Sequence, residues 1–156
     1  MDKRKNLHDY SLLLIFLSVL DVFSFVATVI AGIVDGTVSD ALATVEADML
    51  TAVKIGLVVA AVLMALLAFA EVFIGIKGLK VSREPSADKG YIIATKIFFV
   101  LSIVASISFF VTFFDGNAPI VDTILNFANA VLDIAVYAIF IKAANAVRAD
   151  FIAENK

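Results

Sequence analysis

The chain has 156 residues, of which 62% are hydrophobic and 17% are charged, and its formal net charge is −3. Its mean hydropathy is +1.04. Soluble domains are about 45–50% apolar and about 25% charged, so this composition argues against a water-soluble domain, a disordered chain and a fibrous repeat. The small negative net charge gives no indication of a basic surface that binds nucleic acid. The composition predicts a single integral membrane domain, residues 1–156, with the lipid bilayer as its surroundings.

The first apolar segment covers residues 11–34 and follows a basic leader at residues 3–5. It exceeds the ~20 residues that a helix needs to cross about 30 Å of hydrocarbon. A basic leader before an apolar run is also typical of a signal peptide. This run is too long for a signal core, however, and it contains Asp21. We therefore predict a retained first membrane helix.

Three further apolar segments follow, at residues 40–76, 91–114 and 119–145. The second includes an outer amphipathic extension, where Thr37 and Asp40 have the spacing of a capping box. Turn residues end the first segment and separate the third from the fourth. The segments are too long and too continuously apolar for the strands of a membrane barrel. We predict an all-α membrane protein, a bundle of four transmembrane helices arranged as two antiparallel helical hairpins.

The basic residues lie on one side of this predicted topology. Ten of the 12 Lys and Arg residues fall in the leader, in the loop between the second and third segments, and in the tail. The two connections on the other side contain none and are acidic. Because basic loops stay in the cytoplasm, we predict a multi-pass protein of the cell membrane with both termini cytoplasmic.

Polar residues inside the predicted membrane segments carry most of the functional information. A charged residue at the centre of a membrane helix costs about 2.5–3.5 kcal/mol, so such residues are expected to face protein or water. One stripe of the fourth helix holds Asp122, Asn126, Asn129, Asp133 and Tyr137. Asp21 and Asp133 lie about 15 Å and about 13 Å from the same membrane face. We predict an intramembrane polar site formed by Asp21, Asn126, Asn129, Asp133 and Tyr137.

Matching depths also predict two buried ion pairs. Glu71 and Lys96 both lie about 8–9 Å from the basic side, so they can pair between the second and third helices. Nearer the other side, Lys54 is close in depth to Asp122 and can pair with it. The second helix also carries a row of small residues that begins at Gly56, and small residues permit close approach between membrane helices.

No motif for catalysis or metal binding is present. The chain has no cysteine and a single histidine, His8. This argues against thiolate metal sites, HExxH zinc chemistry and a Ser–His–Asp triad. Gly75 and Gly78 do not have the spacing of a phosphate-binding loop. We predict a protein that is not an enzyme and that holds no metal and no cofactor.

Two functions remain open. The first is a non-enzymatic accessory, scaffold or partner-binding helical bundle, which the small size and short loops favour. The alternative is a small oligomeric carrier or channel, coupled to protons or cations, that uses the Asp21/Asp133 polar site. An aspartyl dyad of a membrane-embedded enzyme is the weakest interpretation. A homo-oligomer or a larger membrane complex is a possible assembly, and the carrier interpretation predicts self-association because four helices alone seldom enclose a path.

Overall fold

The computed structural model describes residues 2–34, 43, 47–114 and 120–155. The side chains at 28, 31–34, 47–48, 50, 57, 60, 105, 108–114 and 120–126 lie outside the described part. Four long helices lie within the described ranges: α1 (Lys3–Val34), α2 (Ala47–Arg83), α3 (Gly90–Phe114) and α4 (Ile120–Glu154). No strand occurs within the described residues. The all-α prediction is confirmed, and the long apolar helices are compatible with a helical bundle.

Three of the four helices contain a stretch that is long and apolar enough to cross a membrane. These stretches are Lys3–Ala27, Thr51–Arg83 and Phe127–Glu154. In α3 the described apolar stretch, Gly90–Val104, is shorter. Length and composition therefore suggest a membrane protein, as the hydropathy of the sequence predicts.

The first helix begins at Lys3, whereas the predicted segment begins at residue 11. Asp2 explains the early start, because its Oδ1 accepts a hydrogen bond of 3.0 Å from the backbone N–H of Arg4. The carbonyl of Asp2 accepts a second bond of 3.1 Å from the N–H of Asn6. Aspartate is a preferred N-cap residue. Hydropathy marks only the apolar part of a helix, so it misses these polar first turns.

The connection between α2 and α3 is set by a proline and an aspartate. α2 continues past its predicted end at residue 76, and the N–H of Glu84 still donates to a carbonyl one turn earlier, at 2.8 Å. Pro85 has no N–H and disfavours helical backbone at the residue before it, which ends the helix. Asp88 then caps α3, because its Oδ1 accepts a 2.8 Å bond from the N–H of Gly90.

The other predicted ends differ in the same direction. α4 runs to Glu154 instead of ending at residue 145. Its last turns contain several alanines and no glycine or proline, so nothing in the sequence stops the helix there. The predicted amphipathic extension at residues 40–46 falls almost entirely outside the described residues.

The chain divides into two compact units. The packed unit consists of Met1–Ile15 and Phe73–Lys156, and the exposed unit consists of Phe16–Val72. Both α1 and α2 contribute one end to the packed unit and the remainder to the exposed unit. The two units differ sharply in how many of their described apolar side chains are buried.

The packed unit contains every buried hydrophobic side chain that the structure describes. α3 packs against α4, with the rings of Tyr91 and Phe140 edge to face at a centroid distance of 6.1 Å. Phe140 is fully buried. The other buried hydrophobic residues are Leu7, Leu14, Ile74, Val81, Ile92, Val136, Tyr137, Ala143, Ala144 and Val147. This core therefore draws on all four helices.

Two glycines of α2 permit this packing. A Cβ atom at Gly78 would lie 2.8 Å and 2.9 Å from ring carbons of Phe140. A Cβ atom at Gly75 would lie 3.1 Å from both the carbonyl oxygen of Ser11 and Cδ1 of Ile15. Glycine lets these helices approach within distances that any side chain would block.

The exposed unit has no such core within its described side chains. Ser18 is the single buried side chain there. Large apolar side chains project from both of its helices, and Phe69 is 78% exposed. Gly56, which begins the predicted row of small residues, has open space around it. The close contacts of α2 are therefore made at Gly75 and Gly78 and not at Gly56.

Candidate functional site

The carboxylate of Asp21 lies on an exposed surface of α1, in the exposed unit. Its chain neighbours Leu20, Val22 and Phe23 are exposed as well. The sequence predicts that a charged residue in this helix faces protein or water. Within its own unit, however, Asp21 is exposed and stands among exposed apolar side chains.

A hydrogen bond between Ser18 and Glu71 joins the two helices of the exposed unit. The Oγ of Ser18 donates to Oε2 of Glu71 over 2.9 Å. Ser18 is buried and Glu71 is half-buried. A hydrogen bond to a charged group is worth about 1.5–3 kcal/mol, so this contact helps to hold the two helices together.

Sequence reasoning missed Ser18 as a partner of Glu71. Serine at this position gives no hydropathy signal, but it lies on the same face of α1 as Asp21, three residues before it. That spacing is the signal that could have identified it. The predicted pair of Glu71 with Lys96 joins residues of the two units and stays a prediction, and the structure places Lys96 on an exposed surface of α3.

An apolar cleft lies beside the Ser18–Glu71 bond. It has a volume of about 290 Å³. Ser18, Val22 and Phe23 line it from α1, and Ala68 and Phe69 line it from α2. Because valine, phenylalanine and alanine side chains form all of this wall except Ser18, the cleft offers shape and apolar surface but almost no polar groups.

The polar residues of α4 belong to the packed unit. Asn129 is exposed, Asp133 is half-buried and Tyr137 is buried. The ring of Tyr137 lies 6.3 Å from that of Phe98 on α3, measured between centroids. The residues of this stripe therefore become more buried from Asn129 to Tyr137 along the helix.

Three of the predicted site and pair residues remain to be placed. The side chains of Asp122 and Asn126 lie outside the described residues, and Lys54 is exposed on α2. The pair of Lys54 with Asp122 stays a prediction. The shared site of Asp21 and Asp133 also stays a prediction, since these residues belong to different units.

Metal ligands do not cluster in the part of the chain that the structure describes. No three His, Asp or Glu side chains lie together there in a group that could hold a metal ion. Comparison with protein-family models, with curated proteins and with solved structures finds no match.

Proposed function

We propose that the chain is a multi-pass protein of the cell membrane, with both termini cytoplasmic, that acts as a non-enzymatic accessory or scaffold bundle and binds a partner helix through its exposed unit. The observation that supports this most strongly is the exposed carboxylate of Asp21 on an apolar surface. Apolar length in three helices supports membrane insertion, and the distribution of basic residues supports the orientation.

The energetic cost of a charge in lipid favours a partner at Asp21. A carboxylate near the middle of a membrane helix costs about 2.5–3.5 kcal/mol when it faces hydrocarbon. Glu71 avoids that penalty in part, because Ser18 donates to it inside the unit. Asp21 has no such donor among the described residues. A partner helix that brings a basic or hydrogen-bonding group to Asp21 removes the penalty.

The surroundings of Asp21 suit such a helix. Val22 and Phe23 border both Asp21 and the apolar cleft, so a partner can place small apolar side chains in the cleft and a polar group at the carboxylate. Polar side chains between membrane helices contribute about 1–2 kcal/mol in peptides, and close apolar packing adds to it. Binding therefore combines one polar contact with one packing surface.

Photo-crosslinking tests the partner surface directly. A photoreactive residue at Phe23, in the exposed unit, is expected to form a protein adduct in native membranes. The matched control is the same residue at Ile97, which is also exposed but belongs to the packed unit, and which is expected to form lipid adducts alone. Asp21→Leu is expected to reduce the Phe23 adduct several-fold while the protein remains in the membrane. Equal adducts from the two positions would rule out the proposed surface.

Cysteine labelling tests the membrane orientation. The natural chain has no cysteine, so Ser86→Cys and Gly116→Cys each introduce a single reactive thiol. With an impermeant reagent applied to intact cells, Gly116→Cys is expected to label and Ser86→Cys to label only after the cells are opened. Labelling of Ser86→Cys in intact cells would contradict the orientation without affecting the partner surface.

A further inference from the structure

A groove runs between the first turns of α1 and the C-terminal half of α4, within the packed unit. Its volume is about 390 Å³. Asn6 and Tyr10 line it from α1, and Ile139, Lys142 and Ala143 line it from α4. Lys3 and Ala146 complete the lining. No part of the proposed partner surface contributes to it, since that surface belongs to the exposed unit.

Helical periodicity explains why these residues share one groove. Lys3, Asn6 and Tyr10 are spaced by three and four residues, which places them on one face of α1. The same spacing places the four α4 residues on one face, over a length of about 10 Å. The space itself comes from alanine, because Ala143 and Ala146 are too small to fill the interval between the helices.

The groove carries one uncompensated positive charge. The Nζ of Lys3 is paired with Oδ1 of Asp150 at 2.7 Å, so these two charges cancel. Lys142 is exposed and forms no ion pair with a described residue. The side chains of Asn6 and Tyr10 likewise have no hydrogen-bond partner among the described residues. The groove thus offers one cation and two polar side chains on apolar walls.

The geometry points to the headgroup of an anionic membrane phospholipid as the ligand of this groove. Its single phosphodiester charge matches the single free charge of Lys142, and Asn6 and Tyr10 supply hydrogen-bond donors. Ile139 lies on the side of the groove that leads toward the apolar middle of α4, where an acyl chain leaves. Basic pockets between membrane helices bind such headgroups. This inference rests on the proposed insertion into a membrane.

Lipid binding to the purified protein tests the inference. The protein is placed in nanodiscs of phosphatidylcholine with a small fraction of phosphatidylglycerol, and the retained lipid is measured by native mass spectrometry. Lys142→Gln is expected to lower retention of phosphatidylglycerol about five-fold. One lysine near a membrane surface contributes about 1 kcal/mol to the binding of an anionic lipid, which corresponds to that change in affinity. Lys5→Gln, which removes an exposed lysine outside the groove, is expected to leave retention unchanged.

Asp150→Asn sharpens the test in the opposite direction. It releases Lys3 from its ion pair and is expected to raise retention, because a second cation then faces the headgroup. Equal losses from Lys142→Gln and Lys5→Gln would overturn the site, as would equal retention of phosphatidylcholine. If free glycerol phosphate, at the same concentration as the phosphatidylglycerol, displaced that lipid from the protein, a lipid would be ruled out as the ligand. Resistance to alkaline extraction, measured first, reports membrane insertion separately from lipid binding.

Discussion

The packed and exposed units share two helices but differ in what those helices bury. The ends of α1 and α2 in the packed unit meet α3 and α4, and the described core lies there. The longer parts of the same helices in the exposed unit are more apolar, yet bury one serine and no described hydrophobic side chain. Hydropathy therefore does not decide where a core forms. Close approach and a sufficient number of neighbouring helices decide it.

The largest expected difference between the units comes from truncating one phenylalanine in each. Phe140 is 0% exposed and Phe69 is 78% exposed. Phe140→Ala is expected to destabilise the protein by about 3–5 kcal/mol, because it leaves a cavity in the core. Phe69→Ala is expected to change stability by about 0.5 kcal/mol or less. Unfolding of the purified protein in detergent measures both, and similar losses would show that the exposed unit is packed as tightly.

A pair of glycine substitutions tests the role of close approach. Gly78→Ala is expected to destabilise by about 1–3 kcal/mol, since the added methyl group overlaps the ring of Phe140. Gly56→Ala has open space for its methyl group and is expected to stabilise by up to about 1 kcal/mol, from helix propensity alone. The same unfolding measurement applies. A harmless Gly78→Ala would mean that α2 and α4 do not meet at this glycine.

An effect of similar size is expected from the polar link of the exposed unit. Ser18→Ala removes the donor to Glu71 and is expected to destabilise by about 1–3 kcal/mol. Ser106→Ala serves as the control, because the hydroxyl of Ser106 bonds to the carbonyl of Ser102 in its own helix, and its loss is nearly neutral. If the two serines behave alike, the bond to Glu71 does not hold the exposed unit together.

The smallest effect is a gain in the packed unit. Tyr91 is 4% exposed, and its hydroxyl is buried with no hydrogen-bond partner among the described residues. Tyr91→Phe removes an unsatisfied polar group and keeps the ring against Phe140, so it is expected to stabilise by about 1 kcal/mol. A rise of the midpoint temperature in a thermal scan checks it. A loss of stability would show that the hydroxyl has a partner.

The sequence predicts the helices well because apolar length is a local property. The four helices and their order follow from it. The helix ends do not follow as well, because Asp2 and Asp88 act through single side-chain bonds to the backbone. These caps are also local, and a search for capping residues beside each apolar segment would find them.

The polar contacts are harder to predict, because they depend on which helix faces which. Depth alone pairs Glu71 with a lysine, whereas the described bond goes to Ser18. Depth along the membrane fixes one coordinate, and rotation of each helix about its axis fixes the other. The sequence does not give the rotation of a helix about its axis. For this reason the small residues near Gly56 and those at Gly75 and Gly78 look equivalent in the sequence.

The ion pair of Lys3 with Asp150 limits how many times the chain between them can cross a membrane. Each crossing moves the chain to the opposite face of a bilayer, and two side chains 2.7 Å apart lie at the same face. In the proposed membrane-inserted protein, the chain between them therefore crosses the bilayer an even number of times. Three apolar helices alone would separate these residues. With its 25 residues, or about 37 Å of helix, α3 is long enough to supply the fourth crossing.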